Sequence, residues 1–213
     1  LTDPRKKSLP GGIRFAAMLG MVFAAFTGWN ALVEASRMVH LFESRSRDLE
    51  QGAAVAAESA ELYQRLIETY YAALEPMREP RGVLMALLAV ACAFVFVASA
   101  RMLRPYGLPR DGMRRILGRA AILAAVLRTV DGAQFAVVAR RMGDTMAESL
   151  NLLPNVPPEL TLEFARSFFP SVGTGGAVLA TALVAGTFAI LGQYFRSERV
   201  REAVAVRDGP QPE

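Results

Sequence analysis

The residues best able to do chemistry stand where charge is least expected. In "VLRTVDGAQ" (126–134), Arg128, Asp131 and Gln134 interrupt a run that is apolar from Ile122 to Leu127 and again from Phe135 to Ala139. On a helix, residues three apart lie about 60° from each other, so the Arg128 guanidinium and the Asp131 carboxylate can meet on one face. Gln134 continues the same rotation. An isolated arginine in mid-bilayer costs from about 2.5 to over 10 kcal/mol, so such a wedge must face protein or water. In one reading Arg128 and Asp131 neutralise each other, Gln134 bonds a neighbouring helix, and the set fixes register or binds a subunit. In the other it lines a path for an ion, a proton or a small polar solute. A transporter carries polar positions on several spans. Here the other apolar stretches offer almost nothing, chiefly Cys92, Ser99, Thr181 and Thr187, with Thr27 and Asn30 near one end. The packing reading is therefore preferred.

Other chemistry is sparse. One cysteine, Cys92, allows no internal disulfide and no thiolate cage. One histidine, His40, excludes bis-histidine ligation within the chain. Glu34 lies six residues before His40, off its face. The glycine-rich "GTGGA" lacks the lysine of a phosphate loop, and no serine in an apolar stretch has a nearby base. No catalytic residue, cofactor site or metal site is expected, and the chain does not read as an enzyme.

The elements that must hold these residues are apolar and long. Of 213 residues, 53% are hydrophobic, and they fall in four blocks. A membrane-crossing helix needs about 20 mostly apolar residues. Residues 13–33, 82–100, 116–139 and 172–195 meet that need, the third with the polar wedge at its middle. The sidedness of charge supports four crossings. Residues 1–14, 101–119 and 194–213 hold 14 Lys/Arg and 6 Asp/Glu, whereas 34–81 and 139–170 hold 9 and 13. The positive-inside rule then puts both termini in the cytoplasm. This distribution accounts for the net charge of +4 without nucleic acid. The charged "PRKK" ahead of the first block fits a signal peptide, but the block is longer than a typical signal core, and a retained helix is expected.

Between the first two spans, Leu49, Ala53, Ala56, Ala60, Tyr63, Ile67, Tyr70 and Leu74 recur at spacings of four and three, a heptad seam. The expected structure is an outer helical hairpin over 34–81, turning near "ESRSRD" (43–48), with one returning helix over 49–76 ended by Glu79-Pro80. The second outer segment, 140–171, should continue the third span, break at "PNVPPE", and form a short amphipathic helix at "LTLEFARSFFP". Its Phe164, Phe168 and Phe169 suit a lipid interface or burial on the hairpin. Residues 203–213 read as a disordered tail.

Small residues repeat every fourth position in the first span, at Gly12, Ala16, Gly20, Ala24 and Gly28. Ala120, Ala124, Arg128, Gly132 and Ala136 form a similar stripe in the third span, and Ala177, Thr181, Ala185 and Ala189 in the fourth. In lipid such stripes let helices approach closely. The composite expectation is an all-α, single-domain, four-helix integral membrane bundle with an extracytoplasmic helical hairpin. The expected partners are the bilayer and other membrane subunits or a second copy. The expected role is that of a non-catalytic subunit or assembly factor of a bacterial inner-membrane complex, with a small channel or transporter as the alternative.

Overall fold

The computed structural model describes residues 9–55, 60–104, 110–152 and 161–208. Every regular element there is helical: α1 (Gly11–Val39), α2 (Leu41–Val55), α3 (Ala60–Leu74), a 3-10 turn (Glu75–Met77), α4 (Arg78–Leu103), α5 (Arg110–Glu148), a 3-10 turn (Leu150–Leu152), α6 (Leu162–Arg196) and α7 (Glu198–Asp208). The four expected spans lie within α1, α4, α5 and α6, and the helices holding them are long and apolar enough to cross a membrane. They leave large apolar side chains on the outside, among them Phe15, Phe26, Val90, Phe94, Leu123, Leu183 and Ile190. A soluble core would bury such groups, whereas lipid solvates them.

Several boundaries differ from the expectation. The chain does not turn at 43–48: α2 runs through that stretch, and only His40 interrupts the rod from α1. Backbone bonds bridge the interruption, His40 N–H to the Ser36 oxygen at 3.2 Å and Ser44 N–H to the His40 oxygen at 2.9 Å. The polar "ESRSRD" is thus helical, with Glu43, Ser46 and Arg47 exposed and Asp48 half-buried, and is not a turn. The returning helix is not one piece over 49–76. It is α3, which ends at Leu74 where Pro76 sits in the following turn. Pro80 does not end it either. It lies in the first turn of α4, where its missing N–H breaks no intrahelical bond.

No separate amphipathic helix precedes the fourth span. Thr161 starts α6, its hydroxyl accepting the Phe164 N–H at 3.3 Å, and the helix continues through Pro170 to Arg196. Residues 203–208 are not a disordered tail but the end of α7, with Val200 and Val204 one turn apart and buried. The expected break at "PNVPPE" and residues 209–213 lie outside the described residues.

The described residues fall into two compact groups, each with its own packing. In the group of residues 1–32, 86–128 and 183–213, the small stripe of α1 meets α4. A Cβ on Gly28 would lie 2.9 Å from the Cys92 Cβ, and one on Gly20 would lie 3.1 Å from the Ser99 hydroxyl. Gly20 and Ala24 are buried, Ala16 and Gly28 partly so, and Gly12 is exposed near the Tyr194 hydroxyl. Ala120 and Ala124 of α5 and Ala185 of α6 are buried as well, and Ala189 partly. At the start of α5, Arg114 is buried and donates to the Phe195 carbonyl at 2.8 Å while pairing with Asp111 at 2.7 Å. A cation at those last carbonyls of α6 complements the helix dipole.

In the group of residues 33–85 and 129–182, α2 and α3 pack along each other. Met38, Leu41, Tyr71, Ala73, Leu74 and Val138 form the core there, with Ile67, Tyr70, Met77 and Met142 against it. Ala147, Leu150 and Ala165 make a smaller cluster covered by Phe169. Thr69 and Thr145 share a hydroxyl bond of 2.9 Å between α3 and α5. Gly132 of α5 faces Thr181 of α6 without room for a side chain, Ala177 is buried on the same helix, and Ala136 is partly buried.

The seam positions divide between two helices. Leu49 lies on α2; Ala60, Tyr63, Ile67, Tyr70 and Leu74 lie on α3. The Ala53 side chain and Ala56 lie outside the described residues. The Tyr63 ring rests directly on Gly52 of α2. Gly52→Ala should displace that half-buried ring at a cost of about 1 kcal/mol, since it can swing outward. Faster proteolytic cutting between α2 and α3 would register the change; an unchanged rate would mean that the contact does not hold the arms together.

Tyr71 donates to the Asp48 carboxylate at 2.7 Å. It lies ahead of the apolar run that begins at Gly82. Burial, then the Asp48 bond and charge, push its phenol above the ordinary 10.0. The folded chain therefore holds this proton more tightly than the unfolded chain does. The resulting stabilisation is complete below pH 10 and is lost as pH rises beyond it. Tyr71→Phe should cost about 1.5 kcal/mol at neutral pH, and its unfolding midpoint should fall less between pH 9 and 11 than that of the unsubstituted chain.

Candidate functional site

The polar wedge of α5 meets a residue that spacing on one helix does not reveal. Arg81, in the first turn of α4, places Nη2 2.9 Å from Asp131 Oδ1. Arg81 is 4% exposed and Asp131 1%, so the pair is removed from solvent. The same guanidinium reaches Glu34 near the end of α1, with Nε 3.5 Å from Oε1, and its Nη1 donates to Gln134 Oε1 at 3.4 Å. Glu34 retains 19% side-chain exposure. The Asp131 contact is a close ion pair, whereas the hydrogen bonds that this guanidinium donates, Nη1 to Gln134 Oε1 at 3.4 Å and Nη2 to Glu34 Oε1 at 3.5 Å, lie at the outer limit of bonding range.

Each residue arrives on a different rigid element. Glu34 is carried by α1, Arg81 by α4, and Asp131 and Gln134 by α5. Glu34 is the first charge beyond the apolar run that ends at Val33, and Arg81 the last before the run that begins at Gly82. Asp131 and Gln134 therefore sit level with the ends of the apolar runs of α1 and α4, although they fall near the middle of the run on α5. Just beyond, Arg78 donates Nε and Nη2 to the Met38 and Val39 carbonyls, each at 2.9 Å, and lies over the Phe42 ring. Those carbonyls end α1, so this cation too stands at the negative end of a helix dipole.

Of the wedge foreseen from sequence, the structure joins Asp131 and Gln134 through Arg81. Arg128 is half-buried and belongs to the other compact group. Arg81 and Glu34 were not foreseen as members. One signal could have found them: a buried carboxylate needs a cation, and these are the charges that border the two neighbouring apolar runs. His40 is exposed and 3.5 Å from Glu43. Cys92 is buried. Phe164 and Phe168 are exposed and stacked 5.1 Å apart, while Phe169 is turned onto Ala147, Leu150 and Ala165. Among the described residues, no cluster of three or more His, Cys, Asp or Glu is placed to hold a metal ion.

A helical membrane protein with four membrane-span-like helices and a four-residue polar cluster centred on a buried Arg81–Asp131 pair is what fold and site define. No protein family, curated protein or solved structure matches the chain.

Proposed function

We propose that the chain is a non-catalytic, multi-pass subunit or assembly factor of a bacterial inner-membrane complex. Both termini are cytoplasmic, and the α2–α3 hairpin stands on the outer surface. The observation that carries this reading is the Arg81–Asp131 pair. A carboxylate 1% exposed and paired at 2.9 Å with a guanidinium 4% exposed ties α5 to α4, and Glu34 at 3.5 Å from the same guanidinium adds α1. A permeating solute would have to displace that ion pair. The level of the cluster, at the ends of the α1 and α4 apolar runs, also suits a fixed layer at the membrane edge. The stacked, exposed Phe164 and Phe168 with Leu162 give the same end of α6 an apolar surface suited to a protein neighbour.

The test is purification from native membranes in mild detergent, with cross-linking before extraction. A protein neighbour recovered in fixed proportion is expected, and repeated recovery of a lone monomer would sink the reading. Ion flux in liposomes that vanishes when Arg128→Leu and Asp131→Ala are combined would establish a channel instead.

A further inference from the structure

Where α5 begins and α6 ends, two glycines bring the helices together. A Cβ on Gly118 would lie 3.3 Å from the Gly192 carbonyl oxygen, and one on Gly192 would lie 3.1 Å from the Gly118 carbonyl oxygen. With no side chain at either place, the Arg196 stem lies across Gly118, its Cγ 2.8 Å from where a Cβ would be. On α5, Arg115 and Arg119 stand one turn apart, about 60° and 100° round the helix from Gly118. The hand of two antiparallel α-helices puts them on the flank to which Arg196 is turned. Arg115 is 65% exposed and pairs with Asp111 at 2.7 Å. The ion pairs among the described residues leave Arg119 and Arg196, both exposed, without a carboxylate. Like charges one turn apart repel, a cost that a bound anion would offset.

We propose that Arg115, Arg119 and Arg196 form a site for the phosphate of an anionic phospholipid. A guanidinium presents paired N–H donors that match two phosphate oxygens. The same face of α5 supplies the rest of an amphiphile's complement: Leu123, one turn beyond Arg119, and Val126 after it are both exposed. A phosphate-binding cation followed along one helix face by open apolar side chains fits a headgroup with its acyl chain. A soluble phosphate shares the headgroup chemistry but has no use for the apolar stripe. The inference rests on the membrane-crossing reading.

The full chain in non-ionic detergent would be titrated with phosphatidylglycerol, phosphatidylcholine or inorganic phosphate. Thermal unfolding and lipid retained in native mass spectrometry would be followed together. Phosphatidylglycerol should bind the unsubstituted chain about 30-fold more tightly than the Arg119→Ala, Arg196→Ala double variant, from two membrane-surface arginine contacts. Phosphatidylcholine should not distinguish the two chains. Equal phosphatidylglycerol affinity in both overturns the site, and stabilisation by inorganic phosphate equal to that by phosphatidylglycerol overturns the lipid as its occupant. Alkaline-carbonate washing of membranes separates the two levels of failure. A chain released by the wash overturns the membrane reading itself, whereas a retained chain indifferent to phosphatidylglycerol overturns only this site.

Discussion

Replacing Arg81 by leucine should lower stability by about 3–5 kcal/mol, because a buried carboxylate loses its 2.9 Å guanidinium contact. For a chain of this size that is a fall of roughly 6–20 °C in the unfolding midpoint. Asp131→Leu should cost less. The guanidinium it leaves behind keeps Glu34 at 3.5 Å, and Glu34 still reaches solvent. The combination Arg81→Leu with Asp131→Leu should recover most of the loss, to within about 1 kcal/mol of the unsubstituted chain, since well-packed apolar residues commonly replace a buried pair at little cost. Thermal unfolding in one detergent at fixed protein concentration measures all three variants. A double variant no better than Arg81→Leu alone would show that packing of the arginine stem, not its charge, holds this layer.

The second large effect concerns the contact between α5 and α6. A Cβ on Gly143 would lie 2.5 Å from the Pro170 Cα and 2.6 Å from its nitrogen. Both are backbone atoms that cannot swing aside. Gly143→Val should therefore force the helices apart and cost about 3 kcal/mol, the upper range for overpacking. Gly175 and Gly176, a little further along α6, have nothing within 4 Å of where a Cβ would stand. Alanine at either should stabilise by about 0.5–1 kcal/mol, by removing glycine's freedom in the unfolded chain. The two kinds of glycine thus carry opposite expected signs on one pair of helices, and unfolding of each variant in denaturant decides between them. A stabilising Gly143→Val would refute the close approach at Pro170.

The same glycine contact explains a boundary that composition conceals. The separate short helix expected at "LTLEFARSFFP" ends on Pro170, yet α6 passes through that proline and the glycines beyond it. A proline costs the helix a backbone bond, but seating its ring and backbone on a glycine of α5 returns packing that propensity does not count. The four apolar helices were readable because lipid requires an unbroken apolar run, and such runs survive any detail of tertiary contact. The short α7 is not evident from sequence: Val200 and Val204 stand one turn apart there, but that both are buried shows only in the structure. Arg81 as a partner of Asp131 was hidden for a different reason: it is 50 positions away in sequence and reaches Asp131 only once α4 is packed. Small-residue stripes did not name their targets: Gly20 and Gly28 of α1 meet Ser99 and Cys92 of α4.

Arg78 has a consequence for how the molecule can vary. It bonds the Met38 and Val39 carbonyls, so the chain that leaves α1 returns to the same place at the start of α4. Residues 40–77 form an excursion whose exit and re-entry are held together by Arg78 and, one turn further into each helix, by Arg81 with Glu34. Loop closure is then already provided at its base, and changes in the excursion's length add little entropic cost. Its base belongs to the core through Leu41, Tyr71 and Leu74, so it is the far end of the excursion that can be lengthened or shortened while the ends of α1 and α4 stay where they are.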